Sequence, residues 1–460
     1  MGTCHSAQSN PSNHNPVLID DVNTQSLAVA GKEKPKKEEQ SLKQSKSQLS
    51  KASITDEPTI QVNENLDLIV KHYTVDQKPF FSTMDTEIRH ATAVKGSRAL
   101  CVKYFKFSKE DVIIRNKAIL ELDFLRRLEH PSLLRISEYF RTSLEFYFVV
   151  ENVKGRPLFD HFGTSLSDDN ESGIAKMLRQ LLLVINYMHR RGIVHRRLRP
   201  ANIFYDGQQL KLVDISSAAW LNKDKPASVD VATDDELYLA PESKGGSYSK
   251  KSDIYTIGVI FFRLLTRKEP YGKTSVADAL KAFEKKLADP MRVNPISDAA
   301  IALFRRMLDS NPKKRPSAVE VLRDPWFQSD KAEELYEKMY LKFRQNFKVR
   351  PFKSQLQRCL YFLFNNHIMI DQHDPEIRDA FEIFDVNGDG TISLDEYANF
   401  LQALGLKVTD AKAEELFKDL DLGGAGCLTY KKFQVAMINE KNFLTDQNVQ
   451  SFFDVLDEVR

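Results

Sequence analysis

Residues 385 to 396 constrain the fold of this chain more than any other stretch, because they read DVNGDGTISLDE. Oxygen-bearing residues recur at alternate positions, and a glycine at the sixth position allows the sharp turn of a calcium-binding loop. The predicted ligands are side-chain oxygens of Asp385, Asn387, Asp389, Ser393 and Glu396 and the main-chain carbonyl of Thr391, with Ser393 acting directly or through water. The segment therefore predicts a calcium site, with Ca²⁺ as cofactor, between two helices.

A second copy of this loop, at residues 421 to 432, lacks most of the oxygen ligands. It keeps Asp421 at the first position, but Gly423 and Ala425 occupy the next two side-chain ligand positions. Lys432 stands at the twelfth position, where it puts a positive charge in place of a bidentate carboxylate. We expect that the second loop does not bind calcium and that it pairs structurally with the first loop.

The composition limits the classes of protein to which the chain can belong. With 460 residues, of which 42% are hydrophobic, it is long enough for two or three domains. A net charge of +2 gives no case for a nucleic-acid partner. The four cysteines are far apart and lack metal-ligand spacing, which is typical of free thiols in a reducing compartment. No secretory signal opens the sequence and no apolar run reaches the roughly 20 residues of a membrane-spanning helix, so we expect a cytoplasmic protein.

The sequence HRRLRPAN at residues 195 to 202, followed by DIS at 214 to 216, resembles the catalytic loop and metal-binding tripeptide of eukaryotic protein kinases. In that family the loop reads His-Arg-Asp-Leu-Lys-Pro-x-Asn and the tripeptide reads Asp-Phe-Gly. The resemblance implies that Asn202 and Asp214 bind magnesium and that Asp214 bridges the ion to the phosphates of ATP. ATP and Mg²⁺ are therefore candidate cofactors.

Further kinase landmarks occur in the order that the family requires. The segment ALCVK supplies Lys103, which in the family contacts the nucleotide phosphates, and a later helix supplies Glu121 as its ion-pair partner. A buried strand ends at Glu151, where a hinge would present backbone groups to an adenine ring. Glu242 of an Ala-Pro-Glu motif and Arg315 resemble a structural ion pair of the family. These residues predict a nucleotide site between two lobes.

The chain departs from the family pattern where the chemistry would occur. Arg197 replaces the aspartate that accepts the substrate proton, and Arg199 replaces the lysine two residues further on. A guanidinium stays protonated at physiological pH and has no lone pair, so Arg197 cannot act as a general base and no intact catalytic set remains. Phe81, Thr83 and Thr86 occupy the glycine positions of the phosphate-covering loop, which we expect to weaken nucleotide binding or alter its geometry.

An acidic cluster at residues 234 to 236 replaces the usual Gly-Thr near the end of the activation segment. One hypothesis is that Asp235 forms charge-assisted hydrogen bonds to Arg197 or Arg199 and so locks the substrate cleft. The alternative is a solvated acidic turn, because acidic surface loops are common. Both interpretations remain open on the sequence.

The first six residues, MGTCHS, fit the N-myristoylation pattern with Gly2 as the acceptor, and Cys4 is a candidate palmitoylation site. One myristoyl chain binds a membrane only marginally, whereas two acyl chains anchor a protein stably. Residues 1 to 65 are rich in Ser, Gln and Lys, a composition typical of disordered segments. We therefore expect a disordered, acylated tail that attaches the protein to a membrane surface as a peripheral, lipid-anchored protein.

Residues 330 to 372 form a basic and apolar junction. Leu335, Met339, Phe343 and Phe347 recur at every fourth position among lysines and arginines, which predicts a basic amphipathic helix. Such a helix can bind a calmodulin-like lobe, act as a pseudosubstrate or lie on a membrane surface. We expect the junction to dock within the chain onto the calcium module, because that module follows immediately in sequence.

In their order these segments look like the calcium-dependent protein kinases of plants and protists, and the chain is identified as a divergent member with impaired catalysis. The resemblance implies an α+β architecture: a bilobal protein-kinase fold at residues 70 to 327, then an all-α EF-hand domain at residues 374 to 460. That domain would hold one intact hand, one degenerate hand and an incomplete third hand near residues 448 to 456. Either further hands were lost or this product is truncated.

The functional expectation has two forms. The leading one is a calcium-responsive, membrane-associated pseudokinase that acts as a scaffold or allosteric partner of proteins that the sequence does not identify. The alternative is an active serine/threonine protein kinase, because the residues that hold nucleotide and magnesium survive. In both, calcium operates a switch that moves the junction relative to the kinase cleft.

Overall fold

The computed structural model describes residues 62–63, 67–83, 85–95, 98–107, 111–142, 145–162, 171–221, 238–266, 296–327, 354–367, 375–403, 406, 408–421, 423–437, 445–446, 448–450 and 453. The predictions for Gly2, Cys4 and Asp235, for the basic helix of the junction and for most of the third hand fall outside these residues. Among the helices that are described, none combines the length and the apolar composition needed to cross a membrane.

The small lobe is a twisted sheet with one long helix packed on it. Its described strands run in the order β1-β6-β7-β5-β4-β2, with β3 paired to β4, and every pair is antiparallel except β1 with β6. The elements are β1 (Val62–Asn63), α1 (Asp67–His72), β2 (Tyr73–Val75), β3 (Phe81–Ser82), β4 (Thr86–Ala93), β5 (Ala99–Lys106), α2 (Val112–Arg127), β6 (Ile136–Arg141) and β7 (Glu145–Val150).

Side chains along the central strands of this sheet point alternately to its two faces, and those on one face form the core of the small lobe. Cys101 and Phe105 of β5 are buried on one face together with Ile88 of β4. Phe124 of α2 joins the same cluster, which explains why this helix packs on that face. The sheet thereby fixes the position of Lys103, which lies on β5 between Cys101 and Phe105.

The large lobe is mainly helical and is built around two buried helices. Its described elements are β8 (Arg156–Pro157), α3 (Leu158–Phe162), α4 (Glu171–Arg190), β9 (Ile193–Val194), a 3₁₀ turn (Pro200–Asn202), β10 (Ile203–Tyr205), β11 (Leu210–Leu212), β12 (Ala219–Trp220), α5 (Pro241–Lys244), α6 (Lys250–Thr266), α7 (Asp298–Met307), α8 (Ala318–Leu322) and a 3₁₀ turn (Pro325–Phe327).

Close packing and helix caps hold these elements together. Gly258 lets α6 approach α7, because a Cβ atom there would lie 3.0 Å from Cβ of Met307. Ser317 and Glu320 form a capping box at the start of α8. Arg315 forms a bidentate ion pair with Glu242, with N···O distances of 2.6 and 2.7 Å.

The calcium module is helical, with one short β ladder. It contains α10 (Pro375–Phe384), β13 (Thr391–Ser393), α11 (Leu394–Ala403), α12 (Asp410–Leu420), β14 (Cys427–Thr429) and α13 (Tyr430–Ala436), and helix α9 (Gln355–His367) of the junction packs on its core. Strands β13 and β14 belong to the two loops and pair antiparallel, with Ile392 opposite Leu428. Phe381, Phe400 and Phe433 lie in the core between the helices. The predicted α+β, bilobal fold followed by a helical EF-hand domain is confirmed.

Candidate nucleotide cleft and calcium site

The cleft between the lobes contains a buried cluster of three charges. Nζ of Lys103 lies 2.7 Å from Oε1 of Glu121 and 3.3 Å from Oδ1 of Asp214, and all three residues are buried. Burial alone would lower the pKa of Lys103, but the two carboxylates outweigh it and raise that pKa. Burial raises the pKa of Glu121 to about 7, whereas the pKa of Asp214 is well below its usual range because Lys103 and Ser216 outweigh its burial.

The predicted magnesium ligands lie side by side at the end of this cluster. Nδ2 of Asn202 donates to Oδ2 of Asp214 at 3.3 Å, and the main-chain N–H of Ser216 donates to Oδ1 of the same carboxylate. An Asn oxygen and an Asp carboxylate are the hard ligands that Mg²⁺ takes. With the ammonium of Lys103 beside them, these residues fit the phosphate and magnesium end of a bound nucleotide.

The two arginines lie on the extended loop before this site. The loop is held by Asp253, whose carboxylate accepts hydrogen bonds from the main-chain N–H groups of His195 and Arg196. Arg197 and Arg199 are both half-buried. Because Asp235 lies outside the described residues, the proposed lock between it and these arginines stays a prediction.

The adenine end of the cleft is spanned by an aromatic bridge, which consists of Phe80 and Phe81 from the small lobe and Phe204 from β10. The ring centroids of Phe81 and Phe204 are 5.9 Å apart, and those of Phe80 and Phe204 are 5.8 Å apart. Phe81 is 7% exposed and Phe204 is 2% exposed. Both contacts are edge to face, at interplanar angles of 75° and 79°, so side chains of the two lobes touch directly at this end of the cleft.

The hinge is also engaged within the protein. The main-chain N–H of Val153, two residues beyond Glu151, points to Sγ of Cys101 at 3.4 Å. The carboxylate of Glu151 is buried and accepts hydrogen bonds from Nζ of Lys211 and from the main-chain N–H of Arg135. The carboxylate of Glu151 is thus used within the protein, and the predicted contact between the main chain of the hinge and an adenine ring stays a prediction.

Sequence reasoning placed Phe81 at a glycine position but missed its partner. Nothing in the sequence near Phe204 marks it as a neighbour of Phe81, since the contact depends on how the two lobes close. The one available signal was a second bulky residue, Phe80, directly before the first glycine position. Its ring stacks on His90 at a centroid distance of 4.3 Å, which fixes β3 against β4.

The first loop of the calcium module is folded around its first ligand. The carboxylate of Asp385 accepts hydrogen bonds from the main-chain N–H groups of Asp389 and Gly390, at 2.9 and 2.7 Å. Glu396 bonds to the side chains of Asn387 and Ser393, at 3.2 and 2.8 Å. The predicted ligands of residues 385 to 396 therefore converge on one loop, with Thr391 on β13 between them.

The donor set of this loop fits a divalent cation. Oδ1 of Asn387 is buried without a hydrogen-bond partner among the described residues. Burial and repulsion from Asp389 raise the pKa of Asp385 to about 7. A bound cation would give Oδ1 of Asn387 a partner and would offset the repulsion between the carboxylates of Asp385 and Asp389. Within the described residues no three acidic, His or Cys side chains yet form a chelate, so we expect the carboxylate of Glu396 to reorient when Ca²⁺ binds.

The same loop lies against helix α4 of the kinase-like domain. Nδ2 of Asn186 donates to the carbonyl of Gly388, and the guanidinium of Arg191 donates to the carbonyl of Asp389 at 2.9 Å. The guanidinium of Arg190 lies 3.6 Å from the carboxylate of Asp389. One face of the calcium loop is thus in contact with the kinase-like domain.

Gly390 makes this approach possible. Its φ angle is +75°, and a Cβ atom there would lie 2.1 Å from the ring of Tyr187 on α4. Glycine therefore serves the turn of the loop and its docking at the same residue.

Helix α9, from the end of the junction, lies between the two domains. Tyr361 is buried in the core of the calcium module, and Phe362 packs against that core. Asn365 donates to the carbonyl of Lys431 in the module, while its own carbonyl accepts a hydrogen bond from Arg135 of the kinase-like domain.

Comparison with known families agrees with this architecture. Residues 85–327 match the protein kinase domain, which covers more than half of the 460 residues. Residues 374–438 match the EF-hand domain pair. The predicted family and the predicted calcium cofactor are thereby confirmed.

Individual relatives are calcium-dependent kinases of protists and plants. Calcium-dependent protein kinase 5 of Plasmodium falciparum is 27% identical over 73% of this chain, and calcium-dependent protein kinase 7 of Arabidopsis thaliana is 25% identical over 74% of it. The chain spans 60% and 64% of the lengths of these two relatives. Among solved structures, the twitchin kinase region of C. elegans has a TM-score of 0.50 at 21% identity, over 61% of this chain and 49% of that one, which shows the fold alone.

Proposed function

Because the chain belongs to the protein kinase family, as a member of its calcium-dependent branch, we propose that it is a calcium-responsive pseudokinase. Its role is that of a scaffold or allosteric partner of other proteins. The observation that carries the proposal is the aromatic bridge, which fills the adenine end of the cleft with Phe81 and Phe204. A cleft that is filled by its own side chains keeps the two lobes in contact without a nucleotide.

The residue at the base position supports the same conclusion. Phosphoryl transfer depends on positioning and electrostatics, and the substrate hydroxyl must be oriented by a group that accepts its proton. Arg197 cannot accept a proton and places a positive charge at that position. The loss of the base and the loss of space for adenine are independent defects, and each lowers turnover.

Calcium responsiveness follows from the place of the first calcium loop. Asp389 is one of the predicted calcium ligands, and its carboxylate also lies near the guanidinium of Arg190 on α4. A bound calcium ion competes with Arg190 for that carboxylate and alters the docking of the loop on α4. Because the two equilibria are linked, docking changes the calcium affinity by the same factor by which calcium changes the docking equilibrium. Helix α9 contacts both domains, so it transmits the change in docking to the rest of the junction.

Membrane attachment is the part of the proposal that rests on the sequence motif. Gly2 and Cys4 together supply two acyl chains, which suffice for stable anchoring. This attachment is tested by mixing the protein purified from cells with vesicles of phosphatidylcholine and phosphatidylserine and measuring how much of it floats with the vesicles in a density gradient. The wild type should float and Gly2→Ala should not, and equal flotation of both proteins would contradict the lipid anchor.

The pseudokinase proposal is tested by nucleotide binding. We expect the melting temperature of the full chain to stay within about 1 °C when MgATP or MgADP is added at millimolar concentration, because a ligand that does not bind adds no stability. The same titration with calcium present tests whether the module opens the cleft. Saturable binding of MgATP in either condition would contradict the closed cleft.

An active serine/threonine kinase is the second candidate, and one observation favours it. Lys103, Glu121 and Asp214 are assembled at ion-pair distances and Asn202 lies beside them, so the four residues predicted to hold phosphate and magnesium lie together. For this function the aromatic bridge would have to open for nucleotide. Binding of MgATP together with phosphate transfer distinguishes this candidate from the pseudokinase.

A further inference from the structure

The second loop of the calcium module contains a cation of its own. Nζ of Lys432, at the twelfth position, lies 2.6 Å from Oδ1 of Asp421 at the first position. It also lies 3.3 Å from the carbonyl of Cys427 at the seventh position. In a calcium-binding loop, the first-position carboxylate and the seventh-position carbonyl are both ligands of the ion. The ammonium therefore occupies the place between them that calcium would take.

The surrounding backbone has the same hydrogen bonds as the intact loop. The carboxylate of Asp421 accepts from the main-chain N–H groups of Ala425 and Gly426, at 3.2 and 2.7 Å. Asp385 does the same with the corresponding residues of the first loop. The second loop is thus folded like a calcium loop, although three of its side-chain ligand positions, at Gly423, Ala425 and Lys432, carry no oxygen.

The charges in the second loop leave no place for calcium. Asp421 and Lys432 neutralise each other, whereas three of the predicted ligands of the first loop are carboxylates. A calcium ion would have to displace an ammonium that is held by a charge-assisted hydrogen bond and is only 14% exposed. The second loop does not fit Ca²⁺.

We propose that Lys432 is a tethered cation that replaces the second calcium ion and holds the second loop closed at every calcium concentration. Closure fixes β14, whose pairing with β13 then supports the first loop before calcium arrives. Lys432 is therefore a positioning residue for the first calcium site, although it touches none of the predicted ligands of that site. The inference does not depend on whether the kinase-like domain transfers phosphate.

Two consequences distinguish this arrangement from a pair of ordinary hands. The full chain binds one calcium ion without cooperativity, because the partner loop is already closed. The affinity of that ion depends on Lys432, because an open second loop must be ordered when calcium binds, and this ordering weakens the apparent affinity.

The test is a calorimetric calcium titration of the full chain, combined with amide hydrogen exchange at residues 427 to 429 in the presence of a chelator. The variant is Lys432→Met, which keeps most of the side chain and removes the charge. Lys418→Met is the matched control, because the side chain of Lys418 is 72% exposed on α12 and forms an ion pair with Glu414 of its own helix.

We expect one ion per wild-type chain, and about tenfold weaker binding with faster exchange in Lys432→Met, since a charge-assisted, partly buried hydrogen bond is lost. Lys418→Met should match the wild type, and Lys432→Arg should recover most of the affinity. Two ions per wild-type chain, or unchanged exchange and affinity in Lys432→Met, would overturn the proposal. If Lys432→Met does not fold, Lys432→Arg decides: near-normal binding supports the tethered cation, and failure to fold overturns it.

Discussion

Replacing Phe81 with alanine tests the aromatic bridge, because the change removes one ring and leaves the backbone of β3 in place. Phe81 is 7% exposed, so the loss of its packing should cost about 3 kcal/mol, the lower end of the range for buried phenylalanines. For a domain of this size, 1 kcal/mol shifts the melting temperature by about 2–4 °C, so we expect a decrease of about 6–12 °C. The same change removes one of the two small-lobe rings that contact Phe204, while the phosphate-binding residues at the other end of the cleft are already in place.

Nucleotide should then restore stability in the variant but not in the wild type. MgADP at a hundred times its dissociation constant adds about 2.7 kcal/mol, which corresponds to about 5–11 °C. Phe159→Ala is the matched control, because Phe159 is partly buried and packs on Arg263 in the large lobe. Differential scanning fluorimetry of the full chains measures all three proteins. If Phe81→Ala gains no more from MgADP than Phe159→Ala does, the aromatic bridge is not what excludes the nucleotide.

Three further predictions follow from buried and interfacial charges. Arg315→Met should lower the free energy of unfolding by about 3 kcal/mol in urea titrations, because it leaves the carboxylate of Glu242 without its bidentate partner; a loss below about 1 kcal/mol would refute this. Burial lowers the pKa of His130 to about 3, so below pH 6.5 the unfolded state binds a proton that the folded state does not, and unfolding at pH 5 should be easier by about 2 kcal/mol than at pH 7. His130→Asn should show less of this pH dependence, and an identical dependence would exclude His130 as its source. Arg190→Gln should raise calcium affinity about twofold, since the half-exposed guanidinium near Asp389 is screened by solvent; weaker calcium binding in calorimetry would contradict the competition.

The sequence was sufficient to predict a site where the function of that site needs a fixed spacing of residues along the chain. The calcium loop is such a case, since the alternating oxygens of residues 385 to 396 allow one geometry. The approach of Lys103 to Glu121 and Asp214 could be predicted from the motif order, because the kinase fold brings those three elements together whatever the other residues are.

The sequence was insufficient where a contact joins elements whose relative position depends on packing. The approach of Phe81 to Phe204 requires the two lobes to close, and no local pattern encodes that distance. The contact of Asn186 with Gly388 is of the same kind, because Asn186 reads as one more polar residue on a buried helix. For Glu151 the motif indicated the main chain of the hinge, whereas the direction of its side chain depends on Lys211 from a distant strand.

The central claim is tested most directly by transfer of phosphate from ATP to a generic basic peptide. The assay compares the wild-type full chain with Arg197→Asp, in magnesium, with and without calcium, and includes Lys103→Met to exclude a contaminating kinase. We predict no transfer by the wild type in either condition, because Arg197 cannot accept the substrate proton and the aromatic bridge fills the adenine site. Transfer by the wild type that Lys103→Met abolishes would contradict the account and identify a working calcium-regulated kinase.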